Sequence, residues 1–161
     1  MIDLHTHILP GIDDGSQSLE TSLKMARIAV ADGTTIMACT PHIYPGLYMN
    51  HSAGIHAERD KLQLALNTYG IPLRLVVGAD AHLVPELLEG LKTGRVPTLN
   101  GSKYFLLEPS HNVLPPGLKT LFLTSWPQAT YPSLPTPSAW SGSKTTTANL
   151  SPWPSAVPGC N

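Results

Sequence analysis

Apolar and polar positions alternate between two periods along the first three-quarters of the chain. Ile2 to Leu4 is a short apolar run of strand length. Ser16 or Ser18 can cap a helix reaching about Asp32, because Leu19, Leu23, Ala26 and Val30 fall on one helical face and Gly33 follows where a helix end favours it. Thr35 to Thr40 reads as a buried strand. Ser52 to about Tyr69 is a second helix, with Ile55, Leu62, Leu66 and Tyr69 on one side and Gly70 and Pro72 closing it. Leu73 to Ala79 is a third strand, and Pro85 to Leu91 gives one or two helical turns. Tyr104 to Leu107 is a further strand. Pro115 and Pro116 start a last helix containing Leu118, Leu121 and Phe122. Strand and helix in repeated alternation, with apolar strands, predict an α/β fold built on a parallel sheet or barrel.

The polar residues at the strand ends carry the chemistry. His5 and His7 lie one residue apart and face the same side of an extended backbone. Pro10 and Gly11 turn the chain and bring Asp13 and Asp14 back towards that strand end. His42 follows the second strand, Asp80 and His82 the third, and Glu108 the fourth. In parallel α/β barrels the carboxyl rim of the strands is where sites are built. A single His-x-His is equally compatible with incidental histidines on a polar strand end. Successive strands that each end in an imidazole or carboxylate point to a first-row divalent metal.

Composition bounds the alternatives. The chain has 161 residues and a formal charge of −1, so no basic face suits nucleic acid. No apolar run is long enough to span a membrane, and the start lacks the basic and apolar regions of a secretory signal, which predicts a cytoplasmic protein. Two cysteines, Cys39 and Cys160, make no disulfide framework. Cysteine-dependent phosphoryl chemistry is excluded. An arginine six residues past the nucleophile would be needed, but Pro45 stands there after Cys39 and only Asn161 follows Cys160. Cys39 lies within an apolar strand and reads as structural. His82 and His111 are near ligand-bearing strand ends, where a supporting or phosphate-binding role is open; His51 and His56 read as solvated. Asp13 reads as a turn residue.

The opening run Asp3-Leu4-His5-Thr6-His7-Ile8-Leu9-Pro10-Gly11-Ile12-Asp13-Asp14-Gly15-Ser16 resembles the bacterial tyrosine phosphatases of the polymerase-and-histidinol-phosphatase (PHP) superfamily, the capsule and exopolysaccharide phosphatases. Thr40-Pro41-His42 and Tyr104-Phe105-Leu106-Leu107-Glu108 resemble two further signatures of that family. The resemblance implies a distorted (β/α)7 barrel, a divalent metal cluster that is usually manganese, and hydrolysis of phosphotyrosine on a bacterial tyrosine autokinase controlling polysaccharide export. It places the metal ligands, and through the metals the catalysis, at His5, His7, Asp14, His42, Asp80 and Glu108. Where better-known members carry Glu, this chain has Asp80, one methylene shorter. Another PHP phosphoesterase, such as one acting on histidinol phosphate, and an inactive metal-binding fragment remain as alternatives.

After Phe122 the pattern stops. Lys144 is the only charged residue beyond it, and seven of the sixteen prolines fall there, with Ser, Thr and three tryptophans. The resemblance expects a Thr-His-Pro-Glu-Arg motif and a late Asp-x-His in this region, and neither occurs. When the codons from Leu123 are read in a shifted frame, wobble permits FDLLAAGYIPILTHPERLVWIED, continuing as HYGQLVALAERGAWMQ. The sequence therefore divides into a partial PHP phosphatase domain over 1–122 and a low-complexity tail over 123–161, read as out-of-frame translation. Such a tail was never selected to pack and is expected to be disordered or only weakly structured. A barrel short of strands is expected to expose apolar edges.

Overall fold

The computed structural model describes residues 1–109 and the strand Tyr131–Ser133. Seven strands and three helices follow the order β1 (Ile2–Thr6), α1 (Leu19–Ala31), β2 (Ile36–Cys39), β3 (His42–Ile43), α2 (Ser52–Thr68), β4 (Arg74–Val77), β5 (Asp80–His82), α3 (Leu87–Lys92), β6 (Tyr104–Glu108) and β7 (Tyr131–Ser133), with a 3-10 turn at Leu99–Gly101. All strand pairings are parallel.

Local sequence accounts for the helices. The Ser18 side chain accepts a hydrogen bond from the Thr21 amide and caps α1, and Glu20 sits in the first turn, where negative charge offsets the helix dipole. Leu23 and Ala26 are buried as their spacing predicts, whereas Leu19, in the first turn, is exposed. In α2, Ile55, Leu62 and Leu66 are buried, but Tyr69 lies just past the helix and faces solvent. Burying a leucine such as Leu66 contributes about 1.5–3 kcal/mol. The side-chain amide of Gln63 on α2 accepts from the Leu75 amide and donates to the Leu73 carbonyl, so it satisfies backbone groups along β4. The core joins Leu23 of α1, Met37 and Cys39 of β2, Leu62 and Leu66 of α2, Leu75 and Val77 of β4, and Phe105 and Leu107 of β6.

The sheet differs from the sequence expectation in one respect. The second and third predicted strands correspond to β2 and β4, each is followed by a further short strand, β3 or β5, and the strands fall into two sheets, ordered β1-β2-β4 and β3-β5-β6-β7. His42 and Asp80 therefore open new short strands and do not close the old ones. The cause is local. Pro41 has no amide hydrogen to give the ladder. At Gly78 a Cβ would come within 2.7 Å of Leu99 Cδ2 and 3.0 Å of Thr40 Cγ2, so only glycine lets the chains step past each other. Hydrogen bonds from the Gly78 amide to the Cys39 carbonyl and from the Asp80 amide to the Pro41 carbonyl carry the ladder across the step.

Within the tail, Tyr131–Ser133 forms a short strand beside β6, with Tyr104 opposite Tyr131. A strand edge pairs with any extended backbone, and Pro132 is tolerated where one side of a strand is unpaired. The rest of the tail, the predicted helix from Pro115, and His111 lie outside the described residues. Among the described residues no helix is long and apolar enough to cross a membrane.

Candidate metal centre

The step in the sheet creates a layer of short strands whose side chains meet the end of β1. His5 and His7 do face one side, their rings edge to face with centroids 5.1 Å apart, and the His7 ring is 4.5 Å from that of His42. In the second sheet His42 stands beside Asp80, and His82 beside Glu108. The six expected ligands are all brought together. Their donor atoms form three overlapping triads, His5–His7–Asp80, His7–Asp14–His42 and His42–Asp80–Glu108, each with its atoms within 4.8 Å of one another. Asp80 reaches the cluster despite its shorter side chain. Its Oδ2 is 3.9 Å from His5 Nε2 and 3.7 Å from His42 Nδ1. Glu108 Oε2 is 3.1 Å from His42 Nδ1, and Asp14 Oδ1 is 3.4 Å from His42 Nε2.

Each β1 histidine is oriented by a neighbour on its Nδ1. His7 Nδ1 lies 2.8 Å from Asp13 Oδ2, and His5 Nδ1 lies 2.9 Å from the Thr40 hydroxyl. Those contacts fix the rings and leave Nε2 as the inward donor, the arrangement found in carboxylate–histidine–metal relays. Imidazole nitrogens mixed with carboxylate oxygens are the donor set of a first-row divalent ion, so the residues fit such a group.

Electrostatics agree with that fit. Burial, with His7 and His42 nearby, lowers the His5 pKa and favours the neutral ring that a metal needs. Burial acts the same way on His42, but Glu108, Asp80 and Asp14 outweigh it and raise its pKa. That is the response of an imidazole among carboxylates. Burial would raise the Asp13 pKa, yet hydrogen bonds from His7 and the Gly15 amide hold it low. The Cys39 thiol is buried and pushed up to about 12 by desolvation, which removes it as a nucleophile.

Some contributors were not legible as such. Asp13 is a turn residue, as read, accepting from the Gly15 amide at 2.9 Å. It is also the buried partner of His7 and accepts from the His42 amide at 3.2 Å. The Asp-Asp-Gly turn six residues after His7 was the available signal. Gly15 is required there, because a Cβ would collide with His7 Cβ and the His7 carbonyl. The contact of Thr40 with His5 and the stacking of two tyrosines carry no signal in the sequence. Tyr44 and Tyr48 exchange backbone hydrogen bonds of 2.9 and 2.8 Å around Pro45-Gly46-Leu47. Tyr48 stacks on His42, with centroids 5.3 Å apart at 15°, and Tyr44 on His82 at 3.8 Å and 13°. His51 and His56 are exposed, as expected.

Fold and site together define a parallel α/β chain with a metal-competent cluster at its strand ends. The family model described as capsular polysaccharide synthesis, CpsB/CapC, matches residues 1–113, and the chain belongs to that family. It is 35% identical over 122 residues to the tyrosine-protein phosphatase YwqE of Bacillus subtilis, a match covering 76% of this chain and 48% of the relative. It is 30% identical over 108 residues to the tyrosine-protein phosphatase CpsB of Streptococcus agalactiae serotype V, covering 67% of this chain and 44% of the relative. The fold superposes with a TM-score of 0.80 and 33% identity on a chain from the crystal structures of YwqE from Bacillus subtilis and CpsB from Streptococcus pneumoniae, unique metal-dependent tyrosine phosphatases. That match covers 85% of this chain and 56% of the other. The chain thus spans about half the length of the curated relatives it matches.

Proposed function

We propose that this chain carries part of the catalytic centre of a metal-dependent protein-tyrosine phosphatase. The observation that carries the reading is the three overlapping triads formed by His5, His7, Asp14, His42, Asp80 and Glu108. The named activity of the relatives supports it. The substrate is a phosphotyrosine protein, a bacterial tyrosine autokinase that governs capsule or exopolysaccharide synthesis, and the chain itself acts in the cytoplasm. Manganese is the metal we favour. Divalent ions bound here would supply a nucleophile at neutral pH and offset phosphoryl charge. The chain's own residues hold and orient. His5 presents Nε2 towards Asp80, Thr40 and Asp13 fix the His5 and His7 rings, and Glu108 and Asp80 bring negative charge between the histidines. No protein nucleophile is required, in keeping with the inert Cys39.

A second reading is a metal-binding chain without turnover. The Thr-His-Pro-Glu-Arg and Asp-x-His motifs that the resemblance expects do not occur after Phe122, which favours this. We also propose that residues 123–161 are an out-of-frame translation of the missing continuation. The abrupt loss of charge after Phe122 supports it, as does the family model's match to residues 1–113 only. Resequencing the locus tests this. An uninterrupted frame encoding the written tail, matched by the intact mass of the protein, refutes it.

The activity test is to supply manganese and compare a phosphotyrosine peptide, p-nitrophenyl phosphate and histidinol phosphate. Manganese-dependent release of phosphate from the peptide is expected from the continuous-frame protein and little from the 161-residue chain. Preference for histidinol phosphate would move the assignment to another PHP phosphoesterase. Tight manganese binding without turnover in both proteins would support the second reading.

A further inference from the structure

His82 lies outside the six-residue ligand set, yet it occupies the position of a ligand. It is two residues past Asp80 on β5, and alternation along the strand turns both side chains to the same face. His5 and His7 stand in the same relation at the end of β1. In the sheet His82 is the direct neighbour of Glu108. The residue is 6% exposed, and its Nδ1 is buried with no hydrogen-bond partner among the described residues. Buried polar atoms are nearly always partnered, so an orphaned ring nitrogen requires an explanation.

The geometry supplies one. His82 Nδ1 is 3.6 Å from Glu108 Oε2, the same oxygen that lies 3.1 Å from His42 Nδ1. That gap is too long for a hydrogen bond. It is close to the roughly 3–3.5 Å that separates two donors sharing one first-row ion, each about 2.1 Å from it. Tyr44 stacks flat on the imidazole, with ring centroids 3.8 Å apart, and so fixes the plane in which Nδ1 points. A merely space-filling histidine would leave that nitrogen either solvated or bonded to the backbone.

We propose that His82 is a further metal ligand, sharing an ion with Glu108 and extending the centre by one layer of the sheet. This rests on the reading of the cluster as a metal centre. The ion is a first-row divalent cation of the class that takes imidazole and carboxylate together. The added nitrogen stands one step along β5 from Asp80, where the resemblance expects the longer Glu.

The test uses the 161-residue chain, stripped with a chelator and titrated with Mn2+ while free Mn2+ is counted by electron paramagnetic resonance. Co2+ absorption gives a second readout that reports the ligand set. His82→Phe keeps an aromatic ring against Tyr44 and removes the nitrogen; His82→Ala removes both. The expected result is a loss of at least about tenfold in affinity for one ion in both variants, with a changed Co2+ spectrum and unchanged helix content by circular dichroism. Wild-type affinity and an unchanged Co2+ spectrum in His82→Phe would overturn the assignment and leave the six-ligand centre standing. Failure of the wild-type chain to bind either ion would instead sink the metal centre, and the role of His82 with it.

Discussion

Two pairs of donors spaced alike behave differently. His5 and His7 at the end of β1 have side chains 33% and 21% exposed, whereas those of Asp80 and His82 on β5 are 4% and 7% exposed. The β1 pair sits at the outer strand of its described sheet and is held from outside, by Thr40 on one ring and Asp13 on the other. The β5 pair lies between β3 and β6 and is held by sheet register. One half of the centre is therefore oriented by side-chain hydrogen bonds, and the other by backbone pairing. Substitutions should separate the two.

In the proposed ligand set Glu108 and His7 are direct donors in the two halves, so their loss should have the largest effect. In the continuous-frame protein, Glu108→Ala and His7→Ala are each expected to reduce manganese-stimulated phosphatase activity to background, because the triads share donors. Wild-type turnover in either would break the ligand assignment. Asp13→Ala should come next, lowering metal affinity by about 10–100-fold, because Asp13 holds the His7 ring and also accepts from the His42 amide. Isothermal titration with Mn2+ measures it, and Asp13→Asn should recover part of the loss by keeping the contact to His7.

Thr40→Val leaves His5 Nδ1 and the Thr6 amide without the hydroxyl they contact at 2.9 and 3.0 Å. A stability cost of about 1–3 kcal/mol in urea unfolding is expected, with a smaller effect on metal affinity than Asp13→Ala. The smallest effect should come from the outer face of β1, where Ile2 is 59% and Leu4 55% exposed. The double change Ile2→Thr and Leu4→Thr should alter unfolding by no more than about 0.5 kcal/mol. It should reduce self-association of the 161-residue chain in light scattering, because exposed apolar strand residues promote aggregation. Unchanged scattering would show that this edge does not drive association.

The order of strands and helices was legible because Leu23, Ala26, Ile55, Leu62 and Leu66 obey one helical period and the strands are continuous apolar runs. Five of the six proposed donors were legible because they follow apolar runs, whereas Asp14 was reached through the Pro10-Gly11 turn and the family resemblance. The step in the sheet was not. It depends on Gly78 meeting Thr40 and Leu99 across neighbouring segments, and no periodicity in a single segment encodes a contact between two. Asp13 was half legible, since the turn is a local property but its contact with His7 is tertiary. Tyr44 and Tyr48 were opaque for the same reason: their stacking on His82 and His42 follows from a bridge between two loop residues whose spacing has no strand or helix period.

Gly78 carries neither charge nor ligand, yet its surroundings would give it the mutational profile of a catalytic residue. Leu99 and Thr40 occupy the space where any side chain would begin. In a saturation library scored by activity, every replacement at 78 should push the two sheets apart at the step and misplace Asp80, two residues on. Intolerance at this position would then report the spacing of the layers and say nothing of the chemistry. A library scored by folding as well as by activity would tell the two apart, because Gly78 should fail both screens, whereas an exposed donor such as Asp14 should fail only the second.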